Sequence, residues 1–218
     1  MLQRICIGEE DFKKLRTENR VYVDKTRFIK NLFGYYDGDE NNDGSSYSGG
    51  DSYVTLITRP RRFGKSLTLS MLKYFLEMNY QNPGDKSEAE KLFRGLAISE
   101  NEDFCQRYMS EYPVILISLK GVDGGTFSTA LGMLLSKIAN LYSYFEFLLD
   151  SNALNEREKN NFNSVLNFAY SDDVDLRDPV NEDRATRIIT NSLERLTSLL
   201  QKVYPKLPPI MCSTRGRS

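Results

Sequence analysis

Apolar residues recur along the chain in two patterns, short continuous runs and helical spacing. Two β-branched runs, at 53–58 and 113–119, predict buried strands. Helical spacing predicts helices, and the segments are 9–19, 25–33, 65–78, 87–93, 99–111, 126–149, 155–170 and 184–203. Because strands alternate with helices in the central region, the pattern favours an α/β layered fold with a parallel sheet flanked by helices.

Capping signals indicate where two of these helices begin. Asp24 stands just before the helix expected from Lys25, where its carboxylate can accept hydrogen bonds from the first amides. Ser99 with Glu102 has the form of a capping box. Before the last helix, residues 172–183 are rich in acids and are predicted to be a connector.

The one low-complexity stretch covers residues 34–52 and consists mainly of Gly, Asp, Asn and Ser. This composition predicts a flexible surface loop, since almost nothing in it could be buried. Cation binding by its acidic residues is an alternative. However, their spacing does not match a DxDxDG loop with glutamate at its twelfth position.

The composition excludes several kinds of chemistry. With no histidine, the chain can form no Ser-His-Asp triad and no histidine-ligated metal site. Its 29 basic and 30 acidic residues nearly cancel, so any basic site must be local. The cysteines at 6, 105 and 212 are scattered, which is typical of a reducing compartment. Because no apolar run resembles a signal peptide or a membrane span, we expect a cytoplasmic protein without a membrane partner.

Between the first predicted strand and the helix at 65–78 lies the sequence Arg-Pro-Arg-Arg-Phe-Gly-Lys-Ser, residues 59–66. A strand, a glycine-containing loop and a helix N-terminus form a phosphate-binding loop, in which lysine reaches the phosphates and a hydroxyl holds Mg²⁺. The expected ligands are therefore ATP and Mg²⁺, with Ser66 as the metal ligand. The predicted nucleotide-binding residues are Arg59, Pro60, Arg61, Arg62, Phe63, Gly64, Lys65 and Ser66.

Arginine replaces the first glycine of the usual GxxxxGK[ST] pattern at position 59. Arginine adopts the conformation of that glycine only at a cost, so the loop could be shaped differently or bind nucleotide more weakly. The three arginines of the loop could contact phosphate, or a nucleic acid or partner protein, or they could be solvated. A non-catalytic module that binds a partner protein or DNA is therefore the alternative to ATP binding.

Several blocks of the sequence resemble the bacterial predicted AAA-ATPase-like family. They are Ile7-Gly8, Tyr22-Val-Asp-Lys-Thr-Arg-Phe-Ile29, the phosphate-loop segment Thr55 to Phe75, Leu92-Phe-Arg-Gly-Leu-Ala-Ile-Ser99, and Tyr112-Pro-Val-Ile-Leu-Ile-Ser-Leu-Lys120. The resemblance implies a P-loop ATPase of the AAA-related, STAND-like kind, in which arginine at position 59 is usual. It also implies that full-length members usually carry a C-terminal domain resembling PD-(D/E)XK nucleases.

The resemblance further implies a Walker B strand, an apolar run ending in Asp-Glu, after the helix at 184–203. Residues 205–218 contain no acid, so we expect a P-loop sheet that is incomplete at the C-terminus. The expected organisation is an N-terminal segment at 1–52, a truncated ATPase-like domain at 53–211 and an aberrant tail at 212–218. A frameshift before Walker B is one hypothesis for this tail, and a fragment end is the other.

No catalytic residue is predicted, and because Walker B is expected to be missing, the sequence favours nucleotide binding without ATP turnover. Asp24 and Asp123 could in principle replace the missing metal-binding acid. Each is better explained as a cap or turn residue, because neither ends an apolar strand. A third hypothesis is that the chain does not fold alone, since the missing strand is an interior one in such sheets.

Overall fold

The computed structural model describes residues 8–34, 55–58 and 63–214. The chain divides into two compact units, Met1–Tyr112 and Pro113–Ser218. The division expected from the sequence, at 52/53 and 211/212, stays a prediction. The predicted flexible loop at 34–52 lies, except for Gly34, outside the described residues.

Short helices make up the described part of the first unit. They are α1 (Phe12–Thr17), α2 (Arg27–Leu32), α3 (Lys65–Leu76), α4 (Ser87–Phe93) and α5 (Glu102–Tyr108), with a 3₁₀ turn at Ala97–Glu100. Their apolar faces meet in an aromatic core. The ring of Phe93 lies 4.8 Å from that of Phe12 and 5.2 Å from that of Phe75, centroid to centroid. All three side chains are fully buried, and the helices predicted at 65–78 and 87–93 are confirmed.

Arg16 of α1 closes the C-terminal end of α4. Its guanidinium donates hydrogen bonds to the carbonyl oxygens of Leu92 and Arg94, at 2.7 and 2.8 Å. The last carbonyls of a helix lack intrahelical donors and carry partial negative charge, so a cation there is favourable. This contact ties the start of the chain to the segment around Gly95.

The predicted strand at 53–58 is not found where the structure describes it. Residues 55–58 form no strand, and the Leu56 side chain is 82% exposed. A β-branched apolar run favours an extended backbone, but a buried strand also needs a hydrogen-bonded neighbour and a covering layer. No described residue pairs with 55–58 as a neighbouring strand, so the prediction is wrong for them.

Both helix starts assigned from capping signals are also wrong. Helix α2 begins at Arg27 rather than Lys25, and its N-cap Thr26 has no side-chain capping bond. Ser99 lies in the 3₁₀ turn, where its hydroxyl donates to the Leu96 carbonyl instead of capping α5. In each case a tertiary or turn contact competes successfully for the capping group.

The second unit contains a small parallel sheet and three longer helices. Its elements are β1 (Val114–Ser118), α6 (Phe127–Tyr144), a 3₁₀ turn at Glu146–Asp150, α7 (Glu156–Ala169), α8 (Pro179–Val203) and β2 (Ile210–Thr214). The strands pair in parallel, with Val114 opposite Ile210 and Ser118 opposite Thr214. The predicted α/β class and the strand at 113–119 are therefore confirmed, although the sheet among the described residues has only two strands.

Two sequence-based boundaries in this unit are wrong. Helix α8 begins at Pro179, inside the predicted acidic connector, because Asp178 accepts a hydrogen bond from the Val180 amide and proline suits the first helical position. Residues 212–214, expected to lack strand character, belong to β2. A buried Cys212 and pairing with β1 compensate for the polar ending of this strand. Residues 215–218 lie outside the described residues.

Tyr142 anchors the three helices of the second unit to one another. Its fully buried ring lies 4.7 Å from that of Phe162 on α7, centroid to centroid. Its hydroxyl donates a 2.9 Å hydrogen bond to the carbonyl of Ser192 on α8. Burial raises the pKa of Tyr142 to about 12, so the phenol remains a donor at neutral pH. None of the helices among the described residues could cross a membrane, by length and apolarity.

Candidate functional site

Gly64 connects the loop at 59–63 to helix α3 in a left-handed conformation. Its φ of 75° and ψ of 27° favour glycine, because a β-carbon in this region is strained. The first bond of the helix runs from the Thr68 amide to the Gly64 carbonyl, at 2.8 Å, and the Thr68 hydroxyl donates to the same oxygen. The amides of residues 65–67 precede this bond, and such amides form an anion-binding end in other helices.

The structure brings four of the predicted site residues together at this helix start. Phe63 precedes Gly64 and is 58% exposed. Lys65 is exposed on the first turn, and Ser66 beside it is half-buried. Arg59, Pro60, Arg61 and Arg62 lie outside the described residues.

Side chains and backbone from residues 8–34 hold the position of α3. The Phe12 amide donates to the Ser70 hydroxyl at 3.0 Å, and the Tyr74 hydroxyl donates to the Asp11 carboxylate at 3.1 Å. Burial, reinforced by the Asp11 charge, raises the pKa of Tyr74, so this donor stays protonated. These contacts fix the helix whose first turn carries the candidate site.

A hydrogen-bond network joins two of the sequence blocks quoted above. The Asp24 carboxylate accepts bonds from the Thr26 amide at 2.8 Å, the Thr26 hydroxyl at 2.7 Å and the Ala97 amide at 2.7 Å. The Thr26 hydroxyl in turn accepts a bond from the Ile98 amide, at 3.1 Å. Thr26 is completely buried, so the network fixes the backbone on either side of residue 25.

The Asp24 carboxyl is held in its charged form by this network. Partial burial by itself would raise its pKa. The bonds from the Ala97 amide and from the Thr26 amide and hydroxyl outweigh that effect and hold the pKa below its ordinary value. The network therefore gives Asp24 a structural role, in place of the helix cap or metal ligand considered from the sequence.

Lys25 lies beside the candidate site, a proximity that sequence analysis missed. Its ammonium is 3.7 Å from the position that a β-carbon on Gly64 would occupy. The side chain is half-buried. The available signal was its place inside the Tyr22–Ile29 block, but nothing in that pattern indicates contact with residue 64.

Carboxylates for a protein-bound metal are not gathered in the part of the chain that the structure describes. No group of three or more Asp, Glu or Cys side chains there could hold an ion. Asp123 is exposed after β1.

Comparison with known proteins shows the family. Residues 6–177, well over half of the chain, match the family described as predicted AAA-ATPase. The chain belongs to the predicted AAA-ATPase family. The matched range includes the loop at 59–66 and both blocks joined by Asp24, so the candidate site lies within the part that defines the family.

A similar sequence occurs in a curated but uncharacterized protein. It is encoded in the vnfD 5′ region of Azotobacter chroococcum mcd 1 and is 32% identical over 120 residues. The match covers 55% of this chain but 17% of the Azotobacter protein. No solved structure matches the chain.

Proposed function

We propose that this member of the predicted AAA-ATPase family binds ATP with Mg²⁺ through residues 59–66. The observation that carries the proposal is the left-handed Gly64, followed directly by Lys65 and Ser66 at the start of α3. The absence of a side chain at Gly64 leaves a cradle that a phosphate group can enter. Family membership supports nucleotide binding independently of this geometry.

Each residue of the described part of the loop has a distinct role in this proposal. The amides at the start of α3 donate hydrogen bonds to phosphate oxygens, and the positive end of the helix favours the anion. Lys65 contacts the β- and γ-phosphates, and the Ser66 hydroxyl binds Mg²⁺. Mg²⁺ supplies neutralisation of the phosphate charge. The proposal extends to a P-loop NTPase arrangement of the domain, and to nucleotide binding by Arg59, Pro60, Arg61, Arg62 and Phe63.

Binding is proposed rather than turnover. ATP hydrolysis uses an acidic residue at the end of an apolar strand to help hold Mg²⁺. Strand β2, which follows α8, ends instead in Ser213 and Thr214, and the Thr214 hydroxyl bonds to that of Ser118 at 3.0 Å. Strand β2 therefore contains no carboxylate that could play this part.

Titration with a fluorescent ATP analogue in the presence of Mg²⁺ tests the proposal. Lys65→Ala is expected to weaken binding by about 10-fold or more, since charge-assisted hydrogen bonds to phosphate are lost. Ser66→Ala should reduce the gain in affinity that Mg²⁺ provides. Lys91→Ala is the matched control, because Lys91 is an exposed lysine on α4.

If the wild type and Lys65→Ala bind the analogue equally well, the proposal is wrong. If DNA is retained in a salt-dependent way that ATP does not compete away, the interaction-module alternative is favoured instead. In both assays, circular dichroism confirms that each variant is folded before its affinity is compared.

A further inference from the structure

We propose that Lys25 is a second cation of the nucleotide site, and that its ammonium contacts the phosphate groups of the bound nucleotide. This inference rests on the proposed function, because it assigns a further residue to the same site. It starts from the 3.7 Å distance between the Lys25 ammonium and the β-carbon position of Gly64. A phosphate in the Gly64 cradle would lie within reach of a lysine so placed.

The backbone of Lys25 is fixed on both sides. Its amide donates to the Tyr22 hydroxyl at 3.4 Å, and its carbonyl accepts a bond from the Phe28 amide at 3.0 Å. The Asp24–Thr26 network anchors the neighbouring residues to Ala97 and Ile98. Only the side chain of Lys25 therefore needs to adjust when a ligand arrives, which limits the entropy lost on binding.

The charge of Lys25 has no described carboxylate partner. Among the described residues it forms no salt bridge, and the adjacent Asp24 carboxylate is occupied by the Thr26 and Ala97 donors. The ammonium instead lies at the N-terminus of the twelve-residue helix α3, which is the positive end of the helix dipole. A cation there is unfavourable unless an anion joins it.

Lys65 adds a further positive charge on the first turn of the same helix. The Lys25 ammonium and the N-terminus of α3 therefore meet at Gly64, and Lys65 follows directly in the chain. This accumulation of positive charge suits a ligand with several negative charges in a row, such as a nucleoside triphosphate, better than one with a single phosphate. Lys25 should accordingly discriminate between nucleotides by the number of their phosphates.

Displacement of the fluorescent analogue by ATP, ADP and AMP tests this inference. Lys25→Gln, which keeps most of the side-chain length without the charge, should weaken ATP binding by about 10-fold or more and AMP binding much less. Lys25→Arg should restore most of the ATP affinity. Lys14→Ala is the control, because Lys14 lies in the same segment and pairs with Glu9 at 3.1 Å.

The outcomes separate this inference from the proposed function. If Lys65→Ala loses ATP affinity while Lys25→Gln binds as the wild type does, the Lys25 assignment fails and the proposed site stands. If Lys25→Gln weakens ATP and AMP equally, its effect is structural and the assignment also fails. If the wild type binds no nucleotide, both proposals fall. Should Lys25→Gln melt below the assay temperature, Lys25→Met replaces it with the same expectations.

Discussion

The Asp24 carboxylate accepts a hydrogen bond of 2.7 Å from the backbone amide of Ala97, across 73 residues of sequence. This bond joins the segment before the loop at 59–66 to the turn after α4. It also leaves Lys25, next in the chain, beside Gly64. A structural carboxylate and a proposed phosphate-binding lysine are thus adjacent, and each can be tested separately.

Removal of the Asp24 carboxylate should destabilise the protein. In Asp24→Ala the buried Thr26 hydroxyl and the Ala97 amide lose their acceptor, so we expect the free energy of unfolding to fall by about 1.5–3 kcal/mol. Urea denaturation measures the change. Asp123→Ala is the matched control, because Asp123 is exposed, and it should alter stability by less than about 0.5 kcal/mol. An Asp24→Ala protein as stable as this control would contradict the network's role.

The contribution of Asp24 should depend on pH. Its pKa is below the ordinary value of 3.8 in the folded protein, so its stabilisation is present above that value and is lost as the pH falls through the folded pKa. The stability difference between wild type and Asp24→Ala should therefore be constant above about pH 5 and shrink below about pH 4. Urea melts at a series of pH values measure it. A difference that grew with acidification would contradict the assignment.

Substitution of Gly64 should affect both stability and ligand binding. Gly64→Ala places a β-carbon at a φ of 75° and 3.7 Å from the Lys25 ammonium. We expect a loss of about 1–2 kcal/mol in stability, from the left-handed backbone, and weaker ATP binding. Gly125→Ala, where a β-carbon meets open space, is the control and should change neither quantity by a similar amount. Unchanged ATP affinity in a folded Gly64→Ala protein would contradict the proposal that a phosphate group occupies the space beside Gly64.

The start of α7 offers a test within the second unit. Asn155 caps this helix in a complete capping box with Glu158, with bonds of 2.9 and 2.8 Å. Asn155→Ala should therefore cost about 1 kcal/mol in the free energy of unfolding. Asn160→Ala, at an exposed position of the same helix, should be neutral or slightly stabilising because alanine is the better helix former. Equal effects of the two changes on thermal unfolding would contradict the capping assignment.

Cys212 should be protected from thiol reagents in the folded protein. Burial within β2 raises its pKa to about 11, so very little thiolate forms at pH 8. We expect slow modification by iodoacetamide in buffer and fast modification in urea, followed by mass spectrometry of the labelled peptide. The half-buried Cys105, whose pKa burial also raises, provides the internal comparison and should react faster in buffer. Rapid labelling of Cys212 in buffer would contradict the burial of its thiol within β2.

Local patterns predicted most of the helices. The apolar face of α3 and the spacing in α7 and α8 are short-range features, and each helix satisfies its own backbone hydrogen bonds. Strand formation at 53–58 could not be settled in this way, because a strand depends on a neighbour that sequence periodicity does not identify. The prediction of the first residue of α2 was wrong for a related reason. Asp24 has a distant donor in Ala97, and the sequence offers no sign of it.

The sequence by itself determined the helices, the strand at 113–119, the family and the Gly-Lys-Ser triplet at the start of α3, because each depends on residues close together in the chain. Only the tertiary structure decided that β2 pairs with β1, that Asp24 bonds to Ala97 and that Lys25 lies beside Gly64. These relationships join residues far apart in sequence. Their energies come from packing and hydrogen bonds that exist only when the chain has folded.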